Sequence, residues 1–236
     1  MKQDLSDTKT VAPVRESAFN IFKRYLTATV GLFVVAFGVA VSTRSNLGTS
    51  PISCPPYALS LWGGFTMGEY TIMMHILLIC IQIALLRKKF RLVLLLQLAA
   101  SFMFGYFTDL TMNITASWQS ESIVWQFGLL LVGCIVLAIG IAMEVSAKAW
   151  MLPGEQTVAV IAEVTGGDFG KIKIWFDSTL VAIGLLLSII LLHKIEFNGP
   201  ESVVGVGTVV AALLVGYVID KIQPATNRLL GFLYKQ

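Results

Sequence analysis

The chain has 236 residues, of which 56% are hydrophobic and 13% are charged, and its mean hydropathy is +0.78. Soluble domains carry about 25% charged residues, so this composition favours a polytopic membrane protein and excludes a separate soluble domain. The net charge of +3 does not indicate a nucleic-acid partner, because the basic residues lie in short loops beside apolar segments.

Six apolar segments approach the length that a bilayer core of about 30 Å requires of a helix. They cover residues 25–42, 70–86, 92–110, 123–143, 174–192 and 203–219. Residues 1–24 are polar, and no small-residue cleavage site follows the first apolar run, so that run is expected to be a retained anchor. We therefore predict an all-α polytopic membrane protein with a cytoplasmic N-terminal arm (1–24), two membrane repeats (25–115 and 123–222) and a cytoplasmic tail (223–236).

Two runs rich in Gly, Pro and small polar residues interrupt the apolar segments, one at residues 46–57 and one around Pro153. A constant offset of 102 aligns the two regions without a gap. It pairs Gly38 with Gly140, Pro51 with Pro153 and His75 with Asp177. A later match, between residues 104–109 and 215–220, has an offset of 111, so the second copy carries nine extra residues. The pattern indicates an internal duplication.

The distribution of basic residues predicts the orientation, because Lys and Arg are retained on the cytoplasmic side of short loops. With the N-terminus inside, 15 of the 17 basic residues lie inside, and only Arg44 and Lys194 lie outside. Three full spans in each repeat would make the repeats inverted, with both termini in the cytoplasm. The interrupted segments, 51–62 and 153–164, are then re-entrant or half-spanning. An arrangement of eight spans, in which both segments cross, fits the basic residues less well.

The interrupted segments resemble helix starts, because Pro suits the first helical position and Ser suits the N-cap. Irregular backbone at membrane depth is tolerated only against protein or a water-filled cavity, and paired breaks in two repeats indicate a substrate site. The alternative is that both segments are loops that cover the bundle. The expected substrate-binding residues are Asn46, Ser50, Ser53, Tyr57, Gly154, Glu155 and Gln156.

Four ionisable residues are candidates for proton coupling or for substrate counter-ions, since charges inside membrane spans usually have a function. They are Asp177, His75, Glu144 and Arg44. Each has a simpler alternative role, in helix packing, at a helix end or among lipid headgroups. Asp109 and Asp220 share a Gly-Tyr-x-x-Asp pattern, and there the sequence favours helix contact and interfacial placement over function.

No catalytic motif of a known hydrolase, nucleotide-binding protein or metalloprotease is present, so we expect no enzyme activity. No cofactor or metal site is expected. The three cysteines have no metal-ligand spacing and are interpreted as packing residues.

Residues 47–51 (Leu-Gly-Thr-Ser-Pro), Tyr57, Gln97 and residues 104–109 (Phe-Gly-Tyr-Phe-Thr-Asp) resemble the bacterial YczE/YyaS/YitT-type integral membrane proteins. The similarity extends over nearly the whole chain after Arg24. It implies a multi-span inner-membrane protein and a permease. The association of such proteins with regulators that sense pyridoxal phosphate makes a vitamin-B6-related compound one substrate that the resemblance implies.

The sequence thus predicts a small secondary transporter for a small polar or zwitterionic metabolite bound between the two interrupted segments, with proton coupling left open. The partners expected are the lipid bilayer and this small molecule, and a homodimer is compatible with the sequence. One alternative is a substrate-binding or accessory subunit that needs a partner chain. A less favoured alternative is a membrane enzyme that acts on lipid headgroups.

Overall fold

A computed structural model describes residues 17–119, 121–193 and 201–233, and within them the chain is helical without a β-strand. Six long helices have mean hydropathies of 1.5–2.5 over an 18-residue window. With 19 to 28 residues and a rise of 1.5 Å per residue, they are about 28–42 Å long. They are α1 (Ala18–Thr43), α3 (Met67–Leu86), α4 (Leu96–Ile114), α5 (Ile123–Ala147), α7 (Phe169–Leu192) and α8 (Val206–Leu233). The six predicted apolar spans are confirmed as helices.

The two interrupted segments form short helices. A 3₁₀ turn at Pro51–Ser53 leads into α2 (Cys54–Trp62), and α6 covers Pro153–Thr165. Pro51 and Pro153 each occupy the start of their helix, as predicted. With nine and thirteen residues, α2 and α6 are about 14 and 20 Å long, which is short for a bilayer core of about 30 Å.

Equivalent caps start α3 and α7. The Thr66 hydroxyl accepts a hydrogen bond from the N–H of Glu69 at 3.1 Å, and the Glu69 carboxylate accepts one from the N–H of Thr66 at 2.8 Å. This reciprocal pair is a capping box. Asp168, which is 102 residues after Thr66, accepts from the N–H of Lys171 at 3.0 Å. The duplication therefore extends to the residues that start these helices.

Four glycines bring α1 and α5 into backbone contact. A Cβ atom on Gly38 would lie 2.7 Å from the Cα of Leu137, and one on Gly140 would lie 2.6 Å from the N atom of Val35. Gly31 approaches Gly140, and Gly38 approaches Gly133. Residue numbers rise along α1 as they fall along α5, so the two helices run antiparallel at this contact.

The other helix contacts occur in matched pairs. α1 packs on α4 as α5 packs on α8, and α2 packs on α7 as α6 packs on α3. If α1 to α4 are equated in order with α5 to α8, each of these contacts has an equivalent. The contact between α3 and α4 is the exception, because α7 and α8 make no equally extensive contact among the described residues.

Two helix ends differ from the sequence prediction. α1 begins at Ala18, so part of the segment assigned to the N-terminal arm is helical, and α8 continues through Pro224 to Leu233. The tail predicted to begin at residue 223 therefore extends the last helix. Polar residues can be helical beyond the apolar part of a span, and a hydropathy pattern does not detect such helical extensions. Residues 1–16 of the arm and Lys194 lie outside the described residues.

Candidate functional site

A pocket of about 290 Å³ lies where the end of α1, the helix α2, the start of α3 and the end of α4 meet. Its lining includes two residues predicted to have functional roles, Arg44 and Tyr57. Further polar groups on its wall come from residues Ser60, Thr66, Asp109, Asn113, Gln119 and Glu201. The pocket thus combines one guanidinium, two carboxylates and several neutral hydrogen-bonding groups in a space suited to a small molecule.

Arg44 follows the last residue of α1, and its guanidinium reaches α4. The Nη2 atom donates to the Met112 carbonyl at 2.7 Å. Its Nε atom is buried and has no hydrogen-bond partner among the described residues. Because an arginine side chain has five N–H donors, most of the donors of Arg44 are available to another acceptor.

Asp109 on α4 holds the start of α3. Its Oδ2 atom accepts from the Thr66 hydroxyl at 2.6 Å, and its Oδ1 atom accepts from the Gly68 N–H at 2.8 Å. A carboxylate at a helix N-terminus also interacts favourably with the helix dipole. The sequence analysis favoured helix contact and interfacial placement for Asp109, and the structure places it on the wall of the pocket. The Thr66-x-x-Glu69 capping box was the signal in the sequence that marks the helix start it contacts.

Tyr57 is on α2 and only 4% exposed, although it lines the pocket. Asn46 is also buried, with a φ of 58° in the left-handed region and with its Oδ1 atom unpartnered among the described residues. The hydroxyl of Ser50 donates to that of Ser53 at 2.8 Å. Ser50 therefore occupies the N-cap position without capping, contrary to expectation, because its side chain bonds to a nearer hydroxyl.

The first interrupted segment is fastened to the residues before and inside α8. The Thr49 N–H donates to the Val203 carbonyl at 3.2 Å, and the Gly207 N–H donates to the Leu47 carbonyl at 2.7 Å. Gly48 between them has a φ of 102°, and a Cβ there would lie 2.6 Å from the Gly205 N atom. This position therefore needs glycine for both conformation and space.

The two interrupted segments touch each other. A Cβ atom on Gly154 would overlap the Cδ1 atom of Ile52, which is its equivalent at the offset of 102. The contact is apolar. The predicted substrate space between the segments is therefore filled by Ile52 at this point, and the pocket of about 290 Å³ lies beside the first segment.

A group of charged residues surrounds the start of α6. The Glu144 carboxylate on α5 is 5% exposed and accepts from the Leu152 N–H at 3.0 Å. Lys173 donates to Asp177 at 2.7 Å along α7. Glu155, in the first turn of α6, interacts electrostatically with both Glu144 and Lys173. The structure thus places Asp177 and Glu155 near Lys173, and Glu144 near Glu155. The sequence analysis missed Lys173, although its spacing to Asp177 is that of a helical ion pair.

Neutral amide side chains also lie near the start of α6. The backbone N–H of Gln156 donates a hydrogen bond to the Leu152 carbonyl at 3.1 Å in the first turn of the helix. Gln82 and Gln97 exchange side-chain hydrogen bonds at 3.1 and 2.9 Å, and Gln82 also donates to Thr157 at 3.0 Å. Gln82 is fully buried. In the sequence, Gln82 is an amide inside an apolar span, so it needs a hydrogen-bond partner. The sequence does not identify that partner, because it depends on how the helices pack.

His75 does not join either group. It is 1% exposed, its Nδ1 atom has no partner among the described residues, and its ring stacks on Phe104 at 5.9 Å. Asp177, its equivalent in the repeat, binds Lys173 instead. The two residues are related by the duplication and do not form a pair.

Six apolar helices around buried polar groups define a multi-pass helical membrane protein. Within this class the chain belongs to the family described as "Family of unknown function (DUF6198)", which matches residues 22–224.

Two relatives from Bacillus subtilis strain 168 are similar over most of their length. The "Uncharacterized protein YyaS" is 28% identical over 212 residues, covering 87% of this chain and 94% of the relative. The "Uncharacterized membrane protein YczE" is 25% identical over 203 residues, covering 86% of each chain. No solved structure matches significantly.

Proposed function

We propose that this protein is a secondary transporter of a small polar or zwitterionic metabolite in the bacterial cytoplasmic membrane. It consists of two inverted repeats of three spans and one short re-entrant helix, with both termini in the cytoplasm. Transport occurs as one repeat rocks against the other, with the substrate passing between α2 and α6. The protein supplies binding and movement and no catalytic chemistry.

The antiparallel contact between α1 and α5 carries the proposal. Gly31 and Gly38 are equivalent to Gly133 and Gly140 at the offset of 102, and each glycine approaches the helix of the other repeat. If a two-fold axis in the membrane plane relates the two repeats, their first helices must run antiparallel, as α1 and α5 do. Inverted repeats of this kind are typical of secondary transporters.

The interrupted segments support a passage. In hydrocarbon, unpaired backbone groups cost several kcal/mol each, so short helices at membrane depth must be enclosed by protein or by a water-filled cavity. The 3₁₀ turn that leads into α2 begins at the buried Pro51, and α6 begins at the buried Pro153. Both α2 and α6 pack on a long helix of the other repeat. Ile52 on Gly154 marks a contact that would have to separate for a substrate to pass.

The charged residues around α6 support ion coupling. Asp177 forms an ion pair with Lys173, and Glu155 interacts electrostatically with both Lys173 and Glu144, so the network can gain a proton or a cation without an excess of positive charge. Buried ionisable groups of this kind form the proton relays of pumps and transporters. Asp177 is the expected coupling residue because Lys173 can release it when another cation binds.

Uptake by proteoliposomes that contain this chain alone tests the proposal. The vesicles are given a metabolite mixture and a pH gradient, and their contents are measured by mass spectrometry after washing. Accumulation of at least one metabolite, reduced in Asp177→Asn vesicles with the same protein content, is expected. Contents identical to those of protein-free vesicles would contradict a transporter that works without a partner.

A further inference from the structure

We infer that the pocket between the ends of α1 and α4 is a binding site for small zwitterions, with Arg44 contacting the carboxylate and Asp109 facing the ammonium group. A zwitterion can bind this pocket whether or not the protein transports it. If the proposed transport function holds, the pocket is the place where the substrate is first bound.

The pocket is lined by one guanidinium, that of Arg44, and by two carboxylates, those of Asp109 and Glu201. Arg44 donates to the Met112 carbonyl, whereas Asp109 accepts from Thr66 and Gly68, so these two charged groups have different hydrogen-bond partners. A ligand with its own separated charges can contact both.

The guanidinium of Arg44 is incompletely paired. Arg44 is partly buried, its Nε atom is buried, and one carbonyl is its hydrogen-bond partner among the described residues. A carboxylate that binds this partly buried positive charge gains charge-assisted hydrogen bonds. The planar arrangement of the donors suits a carboxylate.

The remainder of the wall is both polar and apolar. Tyr57, which is almost wholly buried, and Asn113 line it, and Leu61, Phe65 and Met67 supply an apolar side. The pocket has a volume of about 290 Å³. The pocket therefore fits a short carbon chain with a charge at each end.

A series of ω-amino acids tests this inference on the purified full-length protein in detergent. Glycine, 3-aminopropanoate, 4-aminobutanoate and 6-aminohexanoate vary the separation of the two charges. Butanoate and butylamine carry only one charge each. Thermal stabilisation is measured against concentration, since a compound that binds the folded state raises its stability in a saturable way.

At least one ω-amino acid is expected to bind at least tenfold more tightly than both single-charge compounds. Its affinity should fall at least tenfold in Arg44→Gln and stay within twofold in Arg91→Gln, a matched change at an exposed arginine remote from the pocket. Arg44→Lys keeps the charge but loses the planar donor pair, and a loss of at least threefold is expected.

Three results would overturn the inference. The first is that no ω-amino acid shows saturable binding. The second is that the wild type binds butanoate as tightly as it binds the tightest ω-amino acid. The third is that the affinity for that ω-amino acid is unchanged in the Arg44 variants. If Arg44→Gln does not fold, Arg44→Lys decides the question alone. Binding without uptake into proteoliposomes would reject the transporter and keep the site, whereas uptake that is insensitive to both Arg44 variants, without binding, would reject the site and keep the transporter.

Discussion

Replacing Gly140 by alanine tests the contact between α1 and α5. The new methyl carbon would lie 2.6 Å from the Val35 N atom and 2.9 Å from the Gly31 carbonyl oxygen. Both obstacles are backbone atoms, so the helices have to move apart. Overpacking of this kind costs about 1–3 kcal/mol. The upper half of that range applies because rotation of the Val35 side chain, whose Cγ2 atom lies 2.7 Å away, would leave both backbone contacts in place.

Alanine also favours the helix by about 1 kcal/mol relative to glycine. The net loss expected for Gly140→Ala is therefore about 1–2 kcal/mol, which for a chain of this size lowers the melting temperature by about 2–8 °C. Gly128→Ala is the matched control on the same helix, because nothing lies within 4 Å of its new Cβ. That variant should gain up to about 1 kcal/mol.

The assay is thermal unfolding of both variants in the same detergent, with the helix content checked by circular dichroism. Gly38→Ala should behave like Gly140→Ala, because its Cβ would lie 2.7 Å from the Leu137 Cα and 2.9 Å from the Gly133 carbonyl oxygen. Equal melting temperatures of Gly140→Ala and Gly128→Ala would refute the close backbone contact and the reasoning built on it.

Two further predictions concern the interior. Gln82→Leu leaves Gln97 without its reciprocal partner inside the bundle, and an unsatisfied buried amide costs about 1–3 kcal/mol; the melting temperature should fall, and an unchanged value would show that the amide pair contributes nothing. Asp177→Asn removes the charge that binds Lys173 while keeping the side-chain size, so uptake should fall at least tenfold with normal insertion; normal uptake from pH 5 to 8 would make Asp177 a packing residue.

Hydropathy and the duplication predicted the long helices and the positions of the short ones. The apolar segments approach the length that a bilayer core requires, and proline at residues 51 and 153 suits the first position of a helix. The helix ends were less predictable. Pro224 lies inside α8, and a proline in a sequence is ordinarily evidence for a helix end.

The candidate site was only partly predictable. The sequence identified Arg44 and Tyr57 separately, but their common pocket depends on how α1, α2 and α4 meet. The sequence offset of 102 relates His75 to Asp177. Residues related by a two-fold axis lie close together only if both are near that axis. Ile52 and Gly154 are equivalent residues that do touch. Equivalence in the sequence therefore did not predict which residues touch.

The inverted arrangement is the central claim, and accessibility of two equivalent loop positions tests it most directly. Phe65 and Gly167 are 102 residues apart, and each follows one of the short helices at an exposed position. Single-cysteine variants, Phe65→Cys and Gly167→Cys in a cysteine-free chain, are treated in intact cells with a reagent that cannot cross the membrane. Labelling of residue 65 alone, with residue 167 labelled only after lysis, is the expected result. Labelling of both positions in intact cells, or of residue 167 alone, would contradict the account.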